Sequence, residues 1–374
     1  MKRIYYILFL AITLFSCEKP ISEFQSENFI KFFGSGYESK GNDVIELLDG
    51  DYLITGYDKL NGTDQQVFVA KVDKNGNLIW SNTYGQAKNS EEGKVVKEVS
   101  DGYLIAGTSL NVGITHSFIL KTDFEGNQTF YKEFGNPSYS ITLTDIVVTD
   151  RNIYVAGYSD TSKVGSTDYY VANLNESAEV VWDKSFNIGD NSSFKRIFIK
   201  DGYLLLIGTD GIQNKIAVVP ITQSHFGLID PMTTGSTSEK IVDASLAGNQ
   251  LFILSKGGAS NTMLSKLGSS NSVEWSYAAT GSIEAKSVAL KEDGSLMIAS
   301  ESVVGGNSVI NFIKINSDGT VFNGEQYFKT FTGNVGRIIE TKDKGLIMVG
   351  STNPTYGTNV QLIKTDKDYF MLKN

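Results

Sequence analysis

The stretch Asp101-Gly-Tyr-Leu-Ile-Ala-Gly107 decides the fold, because versions of it return at regular intervals along the chain. Copies begin at Asp49 (DGDYLITG), Asp101, Asp150 (DRNIYVAG), Asp201 (DGYLLLIG), Gly248 (GNQLFILS), Asp293 (DGSLMIAS) and Asp343 (DKGLIMVG), seven in all. A fixed period of about fifty residues marks stacked supersecondary units.

The first copy shows what one unit contains. Val44 to Leu48 is a short, mostly apolar run, closed by an Asp49-Gly50 turn. Asp51 to Tyr57 is a second run, and a polar loop from Asp58 to Gln66 follows. Val67 to Asp73 is a third run, Lys74-Asn75-Gly76 a second tight turn, and Leu78 to Tyr84 a fourth run. Runs this short, rich in β-branched and aromatic residues and bounded by Gly, Asn and Asp, read as strands. Asn-Gly and Asp-Gly favour tight hairpins because both residues tolerate positive φ. Four antiparallel strands repeated radially make a propeller blade, so the chain is predicted to be all-β, a seven-bladed β-propeller.

A second marker is the hairpin between the third and fourth strands: Lys71 to Trp80, Lys121 to Phe130, Asn173 to Trp182 and Lys266 to Trp275. An aromatic sits at the same offset each time and is expected to pack between blades. The sixth copy keeps the turn and moves its aromatic to Phe322. In the fourth, Pro220 and the stretch from Gln223 to Pro231 predict an irregular blade. The last copy ends at Lys364-Thr365-Asp366 without a fourth strand. Phe29-Ile-Lys-Phe-Phe-Gly34 resembles Ser81 to Gly85 and Tyr131 to Gly135. The N-terminal strand is therefore expected to complete the seventh blade and remove the free edges at the seam. Residues 29–374 then form one domain.

The N-terminus reads as targeting. Lys2 and Arg3 precede an apolar run from Ile4 to Phe15, short for a membrane span, which ends in Leu14-Phe15-Ser16-Cys17. Cys17 is the only cysteine, so it has no disulfide partner within the chain. Residues 1–16 are expected to be a signal peptide, Cys17 the lipidated residue, and residues 17–28 a polar tether. Losing that leader, with two basic residues and no acidic one, would take the net charge from −9 to −11. Such a balance excludes nucleic acid and polybasic lipid binding as expected partners.

Catalytic signals are few. The two histidines, His116 and His225, lie in separate repeats, and no zinc-ligand spacing, nucleophile elbow, phosphate loop or dinucleotide fingerprint is present. The expectation is a protein that is not an enzyme, with no cofactor and no metal. Loops such as Asp73 to Asn77, Asp123 to Asn127 and Asn316 to Thr320 resemble calcium loops, yet Asp, Asn and Gly are also what a hairpin turn needs. The acidic pair Glu91-Glu92 could be imagined as general acid and base. The loops between second and third strands are longer and more variable, and variable loops on a rigid scaffold are where binding concentrates. They bring Tyr57, Asp58, Tyr158, Asp160 and Tyr356 forward as candidate ligand contacts, suited to a glycan or a protein edge.

Taken together, the Leu14 to Cys17 segment, the Asp-Gly-Tyr-Leu-Ile-x-Gly copies and the Asp-x-x-Gly-Asn-x-x-Trp hairpins resemble those of repeat β-propeller lipoproteins of Gram-negative envelopes. That resemblance implies lipidation at Cys17, an outer-membrane location and a binding-scaffold role. The hairpin is also similar to that of quinoprotein-like propellers, whose cofactor-binding residues have no match here. Two other roles remain open. One is a docking lipoprotein of the kind found in outer-membrane barrel assembly, which has eight blades. The other is a polysaccharide hydrolase or lyase.

Overall fold

The computed structural model describes residues 28–367 apart from 62–63, 87–88, 137, 150, 161–165, 187–190, 212, 222–231, 235–238, 258–259, 269–271, 280–282, 323–330 and 353–356. Its strands sort into seven four-stranded antiparallel sheets, and the described residues contain no helix. Six blades are continuous in sequence, over 39–84, 90–134, 141–186, 192–234, 239–278 and 284–332. The inner strands are Ser39–Glu46, Ser90–Val99, Ile141–Val148, Ser192–Lys200, Glu239–Ala247, Glu284–Leu290 and Asn334–Glu340. Each packs on the next and the seventh packs on the first, so the ring closes around an axis.

The seventh blade is completed as the repeat count requires. Phe29–Phe33 lies antiparallel to Val360–Lys364, from Phe29 opposite Lys364 to Phe33 opposite Val360. Lys71 pairs with Trp80 in the same way, which makes Phe29 the seventh blade's copy of the hairpin aromatic. That aromatic locks blades together. Trp80 donates its indole N–H to the Phe124 carbonyl of the next blade at 3.2 Å and its ring lies beside Tyr103. The hairpin glycine of the following blade is what leaves room for it. A Cβ on Gly76 would come within 2.7 Å of the Phe29 ring, and one on Gly319 within 2.6 Å of Trp275. Both glycines also have positive φ, so space and backbone conformation demand the same residue.

The core is distributed. Seven apolar clusters lie one between each pair of adjacent blades, including one across the seam that joins Phe29, Val349 and Leu362 to Val44, Ile54 and Phe68. The recurring Asp-Gly turns are clasped from within their own blade. Lys71 reaches Asp49 at 2.8 Å, Lys121 reaches Asp101 at 2.7 Å and Lys364 reaches Asp343 at 2.7 Å.

Every inner strand carries a β-bulge at the same height. The extra residue re-aims the side chain that follows. In blades 1, 3 and 5 that side chain is Asp43, Asp145 or Asp243. Each accepts from a backbone N–H of the next blade: Val96 at 3.0 Å, Ile197 at 3.2 Å and Val288 at 2.9 Å. Arg196 of blade 4 lies between two of them, 2.5 Å from Asp243 and 3.9 Å from Asp145. Arg337 of blade 7 meets Asp43 of blade 1 at 3.3 Å, carrying the belt across the seam. Burial opposes ionisation of Asp243, but the charges of Arg196 and Arg337 hold its carboxyl below the ordinary range.

The fourth blade is complete, but its outer strand shrinks to Met232–Thr234 after the Pro220 stretch, and the sixth blade's to Phe331–Thr332. Residues 1–27 lie outside the described part of the chain.

Two outcomes follow for stability. Deleting residues 27–36 should lower the melting temperature of the whole ring in one transition; a truncated protein that melts like the intact one contradicts the closure. Asp243→Ala leaves Arg196 without its closest carboxylate and should cost about 3–5 kcal/mol in denaturant unfolding. Because the folded carboxyl is the stronger acid, Asp243's contribution is present above the ordinary carboxylate range and lost as pH falls through its folded pKa.

Candidate functional site

Antiparallel order divides the loops between two faces. The turns between strands one and two and between three and four emerge on one face. The hairpins between strands two and three, and the links between blades, emerge on the other. Inner strands begin at this second face, so their first residues line the mouth of the channel. The side chain two residues before each bulge forms an outer ring there, and the bulge residue itself forms a deeper one.

The deeper ring holds a lysine in every even blade: Lys94, Lys195 and Lys286. In blades 2 and 6 a glutamate two residues earlier answers it. Lys94 is bonded to Glu92, and Lys286 lies 3.3 Å from Glu284 and 3.4 Å from Glu301. Glu284 also receives Lys256 at 2.6 Å. Burial works against the Glu92 charge, but Lys94 holds its carboxyl below the usual range; a hydrogen bond from Lys256 does the same for Glu284. Neither carboxyl keeps a proton to donate near neutral pH, as a general acid must. Blade 4 differs. Ser193 stands where the glutamate would be, and Lys195 has no carboxylate partner among the described residues.

Tyr57 and Tyr158 occupy equivalent rim positions in blades 1 and 3, opposite Lys40 and Thr142 of their inner strands. The Tyr57 hydroxyl donates to Glu38 at 2.9 Å. Asp58 points the other way and is buried. It accepts from the Ser35 N–H at 3.0 Å and from the hydroxyls of Ser35 and Ser39, both at 2.7 Å, which ties the closing strand to blade 1. Asp160 is exposed and accepts the Ser140 N–H at 2.6 Å, fixing the link into blade 3. The structure thus puts the two tyrosines on one rim and leaves both aspartates holding loops. Cys17, Tyr356 and His225 lie outside the described residues.

The other sequence candidates resolve into local structure. Asp73 accepts from the N–H groups of Asn75 and Asn77, each at 2.8 Å, and Asp123 from Asn127 at 2.7 Å, so these carboxylates are engaged within their own hairpins. Among the described residues no cluster of three His, Cys, Asp or Glu side chains is placed to hold a metal. His116 sits on a third strand opposite Ser109 in blade 2. Glu91 and Glu92 point to opposite sides of their strand. Glu92 joins the channel, whereas Glu91 is fully buried beside the link between blades 1 and 2. There it accepts the Gln86 N–H at 2.8 Å through one oxygen, and its other oxygen has no partner among the described residues. Burial, reinforced by Glu133 and Asp64, pushes the Glu91 carboxyl up to about 7.

The lysine ring and the aspartate belt were missed from sequence. The signal was an acidic residue inside an otherwise apolar run a few positions before the Asp-Gly turn, as in Asn42-Asp43-Val44 and Thr144-Asp145-Ile146.

No family model matches the chain, and no curated protein does. Solved structures do. The chain resembles puromycin hydrolase at a TM-score of 0.60 and 11% identity, covering 89% of this chain and 53% of that one. It therefore spans about half the length of the hydrolase it matches. The Pan2 WD40 domain of Neurospora crassa matches at 0.56 and 8% identity, over 93% of this chain and 98% of that one. The β-propeller domain of the Trilobed protease from Pyrococcus furiosus, described as having an open velcro topology, matches at 0.52 and 12% identity, over 90% and 97%. At such identities the likeness establishes the propeller alone. The closure by Phe29–Phe33 is a feature of this ring.

Glu91 offers a test of the local electrostatics. Its proton is held more tightly in the folded than in the unfolded chain, so its contribution is full below pH 4.5 and lost as pH rises through 7. Glu91→Gln should remove that loss and stabilise the ring at pH 8 by up to about 3 kcal/mol. An unchanged pH–stability profile would show that the carboxyl is not perturbed.

Proposed function

We propose that this protein is a cell-envelope binding scaffold, held to the outer membrane by lipid on Cys17, whose channel-mouth face engages a protein or a glycan. One observation carries the reading. Phe29, the first residue of the closing strand, sits against Gly76 in a turn between third and fourth strands, on the short-turn face. A tether over residues 17–28 therefore joins the ring on the side opposite the mouth. An anchored ring would turn its longer loops, with Tyr57 and Tyr158, away from the bilayer. Twelve residues reach roughly 40 Å when extended, enough to let the ring tilt.

The reading is of a binder rather than a hydrolase. The mouth carboxylates Glu92 and Glu284 are matched to lysines, which leaves neither free to act as a general acid or base. The propellers of puromycin hydrolase and of the Trilobed protease belong to enzymes, but the resemblance to them extends only to the ring.

Cys17→Ser should move the protein from the membrane fraction to the soluble one; unchanged fractionation would sink the anchor. Protease cleavage on intact cells would favour capture of an external ligand, whereas protection until lysis would favour periplasmic docking. Tyr158→Ala should change unfolding stability by less than about 1 kcal/mol while reducing ligand capture. A loss of about 3–5 kcal/mol would instead mark Tyr158 as a packing residue.

A further inference from the structure

The chain carries a net charge of −9, yet positive charge gathers inside its mouth. In blades 2 and 6 the channel lysines are neutralised by the glutamates described above. Lys195 of blade 4 and Lys240 of blade 5 have no carboxylate partner among the described residues. Lys195 is half-buried at the bulge of blade 4, with Ser193 in the glutamate position. On the neighbouring blade, Lys240 and Lys256 stand directly opposite each other in register, an arrangement of like charges that a sheet ordinarily avoids. Lys256 has Glu284, but must share it with Lys286. Burial and the charges of Lys256, Arg196, Lys94 and Lys240 all push the Lys195 ammonium below the ordinary lysine range. A stabilising ion pair was available in this fold, since blades 2 and 6 both use it. Its absence in blade 4 leaves a cation that weakens the ring and that an anion would satisfy. A concave, partly desolvated wall also focuses the field of such a cluster.

We propose that the channel mouth at blades 4 and 5, centred on Lys195 with Lys240 and Lys256, binds the carboxylate or phosphate group of a soluble ligand. This rests on the reading of the mouth as the binding face and assigns it a ligand chemistry. Lys195 grips the anion from the bulge, where the backbone fixes its origin, and the two blade-5 lysines close on it from the rim. The Ser193 hydroxyl lies on the same rim and can donate where a glutamate could only repel. Tyr158 is on the second strand of blade 3, which packs against the inner strand of blade 4 that carries Lys195.

The test is thermal unfolding and titration calorimetry of the wild-type ring with inorganic phosphate and with galacturonate, at constant ionic strength. Binding to the folded ring alone raises the melting temperature. The expected result is that one or both anions raise it, that Lys195→Met abolishes the shift, and that affinity falls at least about tenfold, the loss of one charge-assisted bond. Without added anion, Lys195→Met should melt no lower than wild type, because it removes an unmatched charge. Lys286→Met, whose charge is already answered, should keep the anion response. Lys240→Met on the exposed rim should weaken it without touching the core. A response to galacturonate only identifies a carboxylate ligand, and a response to phosphate only identifies a phosphate. A wild-type ring indifferent to both, or a Lys195→Met ring that responds like wild type, overturns the proposal. Either leaves the binding-face reading to stand or fall on Tyr158.

Discussion

The structure depends on carboxylates that reach from one blade to the backbone of the next. Inner strands converge on an axis where there is little room for apolar side chains, and their edges would otherwise present unpaired N–H groups. At the bulges, Asp43, Asp145 and Asp243 accept from Val96, Ile197 and Val288. A buried backbone donor without a partner costs on the order of 1–3 kcal/mol, so these bonds remove a penalty at the narrowest part of the ring. The bulge is what makes them possible, since a regular strand would aim the same side chain into the preceding blade.

Alternation around the ring follows from this. Odd blades supply the acceptor, and even blades carry a lysine one residue earlier. Seven is odd, so the alternation must fail somewhere, and it fails at the closing end. Blade 6 offers Ser287, which accepts the Ile338 N–H at 3.3 Å and donates to Asp243 at 2.7 Å. Blade 7 has Gly336 at its bulge, where a Cβ would lie 2.3 Å from the Gly41 carbonyl of blade 1. Arg337 then spans the seam to Asp43. Closure therefore relies on three devices at once: the added strand, the close approach at Gly336 and the arginine.

Legibility from sequence tracked locality. Asp-Gly and Asn-Gly turns, strand lengths and the hairpin aromatic are dictated within a few residues, and the blade count and the closing strand were read from them. Trp80 was placeable because its offset from a turn is fixed, whereas Phe29 follows no such turn and its equivalence to Trp80 is visible only in the register of the closed blade. The lysine ring was not placeable, because Lys94, Lys195 and Lys286 are separated by whole blades and meet only when the ring closes. Bulges were equally hidden, since one extra residue in a strand leaves no compositional mark. Asp58 shows the reverse error of proximity. It follows Tyr57 in sequence, but strand alternation sends it to the opposite side, where Ser35 and Ser39 engage it.

A rigid belt with a polar mouth above it would place the proposed binding residues on strands rather than loops, which favours a preorganised site. The most direct test of that account is site-resolved amide exchange at Val96, Ile197 and Val288. If the carboxylate belt holds the ring together, these amides exchange only through global unfolding, with one shared free energy. Exchange at a lower free energy, through local opening between blades, would show that the belt decorates a ring held by its apolar interfaces alone.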